Sequence, residues 1–280
     1  MKSIGLLYNP RSSETRPLGE AICAWLAERG RSTWLVSTLD EPPEPALLRE
    51  TELVITLGGD GTILRAAAIV LPHAIPLLGL NLGRVGFLTE GNPATWKALL
   101  ENYLAGRGYV ERRSTLAVRT FPAARFGNRH EAVALNEAVV GRGPLARTIR
   151  LSVRVEDVPL TDYVADGLIA ATATGSTAYA YAVGGPILPP WMEEIILVPV
   201  APHLCLERPL ILDRQTVIEI TVRSRRGGIL TVDGRLVAEL RDGDRVQLFR
   251  HHQEALFWRI RKREDFYRSL VERLTPRSIT

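Results

Sequence analysis

The sequence predicts an α/β N-terminal domain built on a parallel sheet, then an all-β C-terminal domain, then a terminal helix that packs back on the protein. Three observations carry this. Strand-like and helical runs alternate from Met1 to Arg107. Short runs separated by turn residues take over after Gly106-Arg107-Gly108. A length of 280 residues, at about 150 per domain, divides into two. The expected boundaries are 1–107, 108–260 and 261–280.

Each element has a local cause. Residues 4–8 form an apolar run stopped by Asn9-Pro10; residues 18–29 have helical spacing and stop at Gly30; residues 32–37 give a second strand. A third strand, 53–57, runs into Gly58-Gly59-Asp60-Gly61-Thr62 and out into a helix over 63–70. Residues 76–80 are a short strand ending at Asn81-Leu82-Gly83, and 94–105 read as a closing helix. Beyond Gly108, strands are expected at 116–120, 131–140, 148–155, 217–223 and 229–232, punctuated by turns such as Asp233-Gly234 and Asp242-Gly243-Asp244. Helical spacing returns over 263–274, with Phe266, Leu270 and Leu274 on one stripe.

With 46% hydrophobic and 24% charged residues, the chain has material for a sizeable core and is not of disordered composition. Cys23 and Cys205 lie far apart in apolar settings, which describes buried fillers in a reducing compartment rather than a disulfide framework. The opening apolar run is too brief for a signal peptide, and no stretch approaches the roughly 20 apolar residues of a membrane helix. A soluble, cytoplasmic protein without a membrane partner is expected. Net charge is +4, with Lys only at positions 2, 97 and 262. The arginine bias reads first as a compositional habit and second as suited to phosphate partners. Cations thicken from Arg250 to Arg277, but Glu254, Glu264, Asp265 and Glu272 interleave with them, which describes a mixed-charge helix face and no nucleic-acid patch.

The strongest local signal for chemistry is Gly58-Gly59-Asp60-Gly61-Thr62 between a buried strand and a helix. Glycines admit close backbone approach, and the helix N-terminus favours phosphate oxygens. The loop lacks the Gly-Lys-Ser/Thr of a Walker A motif and the spacing of G-x-G-x-x-G. A tight strand-to-helix turn with Asp60 capping the helix accounts for it equally well. Asp60 tips the balance, because a carboxylate in a phosphate loop repels its ligand unless it acts as a base or orients a magnesium-bound phosphate. That layout suits a kinase acting on a small hydroxylated acceptor.

Asn136-Glu137, at a predicted strand end, could chelate a ribose diol or a base edge, or be a satisfied polar pair. The block Asp166-Gly167 through Thr174-Gly175-Ser176-Thr177-Ala178-Tyr179 to Gly184-Gly185-Pro186 could bed a flat ligand, with Tyr179 or Tyr181 stacking, or be a Ser/Thr-rich turn into a small-residue helix. It is not G-x-S-x-G, so serine catalysis is not expected. The five histidines make no zinc spacing.

Together, Gly58 to Thr62, Asn81-Leu82-Gly83 with Gly86-Phe87-Leu88, Asn136-Glu137, the Asp166 to Tyr179 block, Gly184-Gly185-Pro186, and Pro202-His203 with Arg208-Pro209-Leu210 closely resemble the NAD kinase family. The resemblance spans about residues 4–235. A bare GGDGT occurs in lipid kinases too; the combination is specific. It implies phosphorylation of NAD at the 2′-hydroxyl of the adenosine ribose by ATP, with polyphosphate as a possible donor and a divalent ion, magnesium first. It also implies an α/β domain, a β-sandwich-like C-terminal domain, and a homodimer or homotetramer.

Carried over residue by residue, the resemblance gives Asp60 the 2′-hydroxyl proton, or the positioning of that hydroxyl, and gives phosphate contacts to Gly58, Gly59, Gly61 and Arg65, with Thr62, Asn81 and Phe87 nearby. Asn136 and Glu137 hold the adenosine ribose and base. Asp166 contacts the nicotinamide half or a neighbouring subunit's ligand. Thr174, Ser176, Thr177, Ala178, Tyr179, Ala180, Tyr181 and Ala182 line the cleft, and Arg147, Val164 and Arg235 are further ligand-lining positions. Ala173, Pro189 and Arg235 depart from the commonest family residues, and Arg235 could favour a phosphorylated ligand. The alternatives are a diacylglycerol-type or NADH kinase, and a non-catalytic NAD(P)-binding regulator.

Overall fold

The computed structural model describes residues 2–83, 86–124, 127–143, 148–203 and 205–274, with side chains through 271. The chain forms two compact units, residues 1–112 with 255–280, and residues 113–254.

In the first unit, β1 (Ser3–Tyr8), α1 (Thr15–Ala27), β2 (Thr33–Ser37), α2 (Pro45–Arg49), β3 (Thr51–Leu57), α3 (Asp60–Val70), β4 (Leu77–Leu80), α4 (Trp96–Leu104) and β5 (Tyr109–Arg113) follow one another. The sheet order is β2-β1-β3-β4, continued by β18 (Ala255–Arg259) and β5. All pairings from β2 through β18 are parallel. β3 is buried at every residue but Glu52, with an apolar run Leu53-Val54-Ile55, because both faces of the sheet are covered. On one face Ile4, Leu6, Leu53, Ile55 and Leu57 pack with Ile22, Trp25 and Leu26 of α1 and with Leu99 and Leu100 of α4. On the other, α3 lies so close that a Cβ on Gly79 would stand 2.6 Å from Ile63 Cδ1. The order β2-β1-β3-β4 places a topological switch point between β1 and β3, where crossovers leave in opposite directions and open α/β sheets bind ligands at the strands' carboxyl ends. Gly58 to Thr62 follows the carboxyl end of β3.

The second unit runs β6 (Leu116–Phe121), β7 (Glu131–Ala134), β8 (Glu137–Gly141), β9 (Ile149–Val155), β10 (Val158–Ala165), β11 (Gly167–Ala171), α5 (Tyr179–Ala182), β12 (Ile195–Val200), β13 (Leu210–Leu212), β14 (Ile218–Val222), β15 (Gly228–Val232), β16 (Arg235–Leu240) and β17 (Arg245–Arg250). Two six-stranded antiparallel sheets result, β10-β9-β14-β17-β6-β7 and β13-β12-β11-β8-β15-β16. Alternate residues of both, including Leu116, Val140, Leu151, Leu168, Leu197, Ile220 and Leu230, share one core. β11 and β12 are buried on both sides: Ile169, Ala171, Ile196 and Val198 form a second cluster with Ala173, Ala180 and Leu188.

The compact units divide at 112/113 and 254/255, against texture changes read at 107/108 and 260/261. Residues 109–113 and 255–259 are strands of the first sheet, and strand texture alone does not say which sheet a strand joins. The predicted run 131–140 is two strands interrupted at Leu135-Asn136. The terminal helix α6 (Asp265–Leu274) belongs to the first unit, with Phe266 and Leu270 half-buried. Cys23 and Cys205 are free thiols and half-buried rather than buried.

Candidate active site

The glycine loop needs its glycines for different reasons. Gly58 has φ +148°, and a Cβ there would stand 2.3 Å from Thr62 Oγ1. Nothing lies within 4 Å of a Cβ built on Gly59 or Gly61, so both present open backbone at the start of α3. Gly59 is the residue that opens the helix, and Asp60 makes no capping bond. Its carboxylate instead accepts the Phe87 N–H at 2.9 Å through Oδ2 and the Leu88 N–H at 3.2 Å through Oδ1. Gly86 makes room, since a Cβ there would lie 2.0 Å from Asp60 Oδ1. Buried Asn81 shapes the approach to this segment, its Oδ1 accepting the Gly83 N–H at 2.9 Å. Thr62 is buried, and half-buried Arg65 lies further along α3.

In the second unit the loop at 135–137 is fixed by a residue that the motif reading passed over as a turn. Asp233 and Gly234 have φ of 47° and 72°, the two-residue turn that joins β15 to β16. The Asp233 carboxylate accepts the N–H groups of Leu135, Asn136 and Glu137 at 2.8, 2.8 and 3.2 Å. These partners are 96 to 98 residues away in sequence, so only the Asp-Gly turn itself was legible. Burial raises the Asp233 pKa, against the lowering effect of those three bonds. Glu137 is pushed up to about 7, first by burial and then by the Asp233 charge, while the Tyr179 N–H opposes the shift. Glu137 is 8% exposed, and its Oε2 has no hydrogen-bond partner among the described residues.

Buried Asn136 contributes its backbone: its carbonyl accepts the Thr172 N–H at 2.9 Å and comes so close to Gly175 that a Cβ there would lie 2.2 Å away. Ser176 is wholly buried; its hydroxyl donates to the Ala173 carbonyl at 2.7 Å and accepts the Leu188 N–H at 3.0 Å. Ala180 lies in the cluster under β11 and β12. The side chains of these two residues thus pack inward, beneath the loop that carries Thr177 and Tyr179. Thr174 is buried too, with Arg113 Nη1 at 3.4 Å from its hydroxyl. Thr177 and Ala178 are half-buried, while Tyr179, Tyr181 and Ala182 are exposed.

A cavity of about 450 Å³ opens in this unit, lined by Val139, Gly141, Asp166, Gly167, Tyr179 and Thr231 among others. Asp166 pairs there with Arg142, Nε to Oδ1 3.0 Å. Half-buried Val164 uses its carbonyl for the His203 N–H at 2.8 Å. Arg235 is exposed, and its charge acts on Asp233. Arg147 lies outside the described residues. Among the described residues, no group of three or more His, Cys, Asp or Glu side chains is placed to hold a metal ion.

Two family models match, described as the ATP-NAD kinase N-terminal domain over residues 44–109 and the ATP-NAD kinase C-terminal domain over residues 135–260. An NAD kinase of Chloroflexus aurantiacus is 39% identical over 274 residues, covering 98% of this chain and 99% of that one. The chain belongs to the NAD kinase family. It is therefore an enzyme, a phosphotransferase. Another NAD kinase, from Dehalococcoides mccartyi, is 38% identical, with coverage of 98% and 96%. A crystal structure of yeast NADH kinase complexed with NADH shares the fold at TM-score 0.87 and 24% identity, covering 100% of this chain and 90% of that one. An NAD kinase from Archaeoglobus fulgidus in complex with ATP gives TM-score 0.76 at 27% identity, with coverage of 96% and 97%.

Proposed function

We propose that this NAD kinase family member transfers the γ-phosphoryl group of ATP to the 2′-hydroxyl of the adenosine ribose of NAD, giving NADP. The observation that carries the reading is Asp60, a carboxylate oriented by two backbone N–H groups beside glycines whose Cα atoms face open space. Asp60 accepts the 2′-hydroxyl proton or positions that hydroxyl. The N–H groups at the start of α3 and the Arg65 guanidinium bind phosphate oxygens. Phosphoryl transfer asks mainly for alignment and charge neutralisation, so few groups suffice.

In the C-terminal unit the cavity beside Tyr179 and Asp166 is the proposed dinucleotide bed. Glu137 Oε2, without a partner among the described residues, supports a hydroxyl-bearing ligand at the Asn136-Glu137 loop, since a buried oxygen without a partner costs free energy that a ribose hydroxyl would relieve. The divalent ion of this reading would be magnesium carried by the nucleotide's own phosphates, where it would neutralise charge; among the described residues no carboxylate cluster is placed to cage it. Two half-buried free thiols, and no described helix long and apolar enough to cross a membrane, support a cytoplasmic setting. A homodimer or homotetramer is proposed on the family resemblance alone.

The test is product formation with ATP, other nucleoside triphosphates and polyphosphate as donors, and NAD, NADH and diacylglycerol as acceptors. NADP from NAD is the expected result. Phosphorylated lipid without NADP, or calorimetric binding of NAD without turnover, would reject it.

A further inference from the structure

Asp60 is held by the N–H groups of Phe87 and Leu88, so whatever fixes that backbone fixes the carboxylate. The Leu88 carbonyl accepts a hydrogen bond from Arg259 Nη1 at 2.8 Å, 171 residues along the chain. Arg259 is 5% exposed and anchored on both sides: its Nε donates to Glu111 Oε2 at 2.9 Å, and its Nη1 stands 3.2 Å from Glu90 Oε2. Glu90 is itself fixed, because its Oε1 accepts the N–H groups of Ile260 and Arg261 at 3.0 and 2.8 Å. Arg261 closes the cluster, its Nη2 donating to the Glu90 carbonyl at 2.6 Å. Segment 88–90 is thus tied to the end of β18 through buried charges.

Stability alone is a weak account of such a cluster, since a buried ion pair can often be replaced by apolar residues without loss. Position is a better one. A planar fork can hold two carboxylates and a carbonyl at fixed angles, and Leu88 turns its N–H to Asp60 and its carbonyl to that fork. We infer that Arg259, anchored by Glu90 and Glu111, is a positioning residue for the Asp60 carboxylate, acting through Leu88. The inference rests on the role proposed above for Asp60.

Arg259→Lys tests it, because an ammonium keeps the charge but cannot span Glu111 and the Leu88 carbonyl as the fork does. A folded variant is expected to lose about tenfold in kcat, with KM for NAD and ATP changed by less than about twofold. Amide exchange in peptides covering 86–90 should quicken while that of β1 and β3 does not. In an Asp60→Asn background the same substitution should alter the residual rate by less than about twofold, since the group it acts through is gone. Wild-type kcat, unchanged exchange at 86–90, or full additivity with Asp60→Asn would each overturn the inference. Near-normal turnover of Asp60→Asn alone would instead overturn the role of Asp60, and exchange at 86–90 would still decide whether Arg259 holds the segment. Should Arg259→Lys not fold, Glu111→Gln leaves the arginine in place and weakens its anchor. Loss of about two- to threefold in kcat with quicker exchange at 86–90 is then expected, and unchanged exchange overturns the inference.

Discussion

Asp60 in the N-terminal unit and Asp233 in the C-terminal unit use a carboxylate in the same way, to gather backbone N–H groups from a distant loop, yet they end in different roles. Asp233 accepts three N–H groups, two of them on one oxygen, from a turn whose left-handed backbone commits it to that place. Asp60 accepts one on each oxygen, and the glycines on either side of it face open space. A carboxylate has about four lone-pair sites, so Asp60 keeps capacity for a substrate hydroxyl while Asp233 is largely used up holding Asn136 and Glu137 in place. The difference teaches that the carboxylate with fewer partners and open surroundings keeps capacity for the chemistry proposed for it, while the enclosed one serves as scaffolding.

Replacing each carboxylate breaks this comparison at its two ends. Asp60→Asn should lower kcat by about 10²- to 10⁴-fold while calorimetry still detects NAD binding; near-normal turnover would remove Asp60 from the chemistry. Asp233→Ala leaves three N–H groups without an acceptor and should cost about 2–4 kcal/mol in urea unfolding, with weakened NAD binding. Unchanged stability would show that Asp233 is no fixture.

Glu137 sharpens the comparison through pH. Its carboxyl is raised from 4.5 to about 7, so between those values the folded protein holds a proton that the unfolded chain has released. The stabilising contribution is therefore full below the lower value and lost as pH rises through about 7. Glu137→Gln should gain stability relative to the parent across that window, by at most about 3 kcal/mol above it. A pH-independent difference between the two melting curves would contradict burial as the cause. Gly61→Ala carries the smallest stability effect: open space and better helix propensity should stabilise α3 by up to about 1 kcal/mol, while KM for ATP rises. Unchanged KM would remove Gly61 from the phosphate cradle.

Local periodicity made most elements of both units readable, because each strand or helix places its own apolar residues at its own repeat. The Asp-Gly turn at 233–234 was readable for the same reason, as were the glycine loop and the Asn-Glu pair as candidate chemistry. Boundaries were less so: the five residues Ala255–Arg259 fall within the span 108–260 read as β-rich, and only their place between β4 and β5 assigns them to the first sheet. The inward packing of Ser176 against Leu188 and of Ala180 beneath β11 and β12 was not legible within a run of small residues, because it depends on segments that meet only in the fold.

The sequence by itself determined the two textures, the order of strands and helices, and the residue types able to bind phosphate and ribose, since these depend on neighbours a few residues away. Tertiary structure alone decided what these carboxylates and the Arg259 guanidinium touch, because the cited partners of Asp60, Asp233 and Arg259 lie from 27 to 171 residues distant. Those contacts form only when sheet order, glycine clearances and burial bring the segments together, and no local pattern encodes that distance.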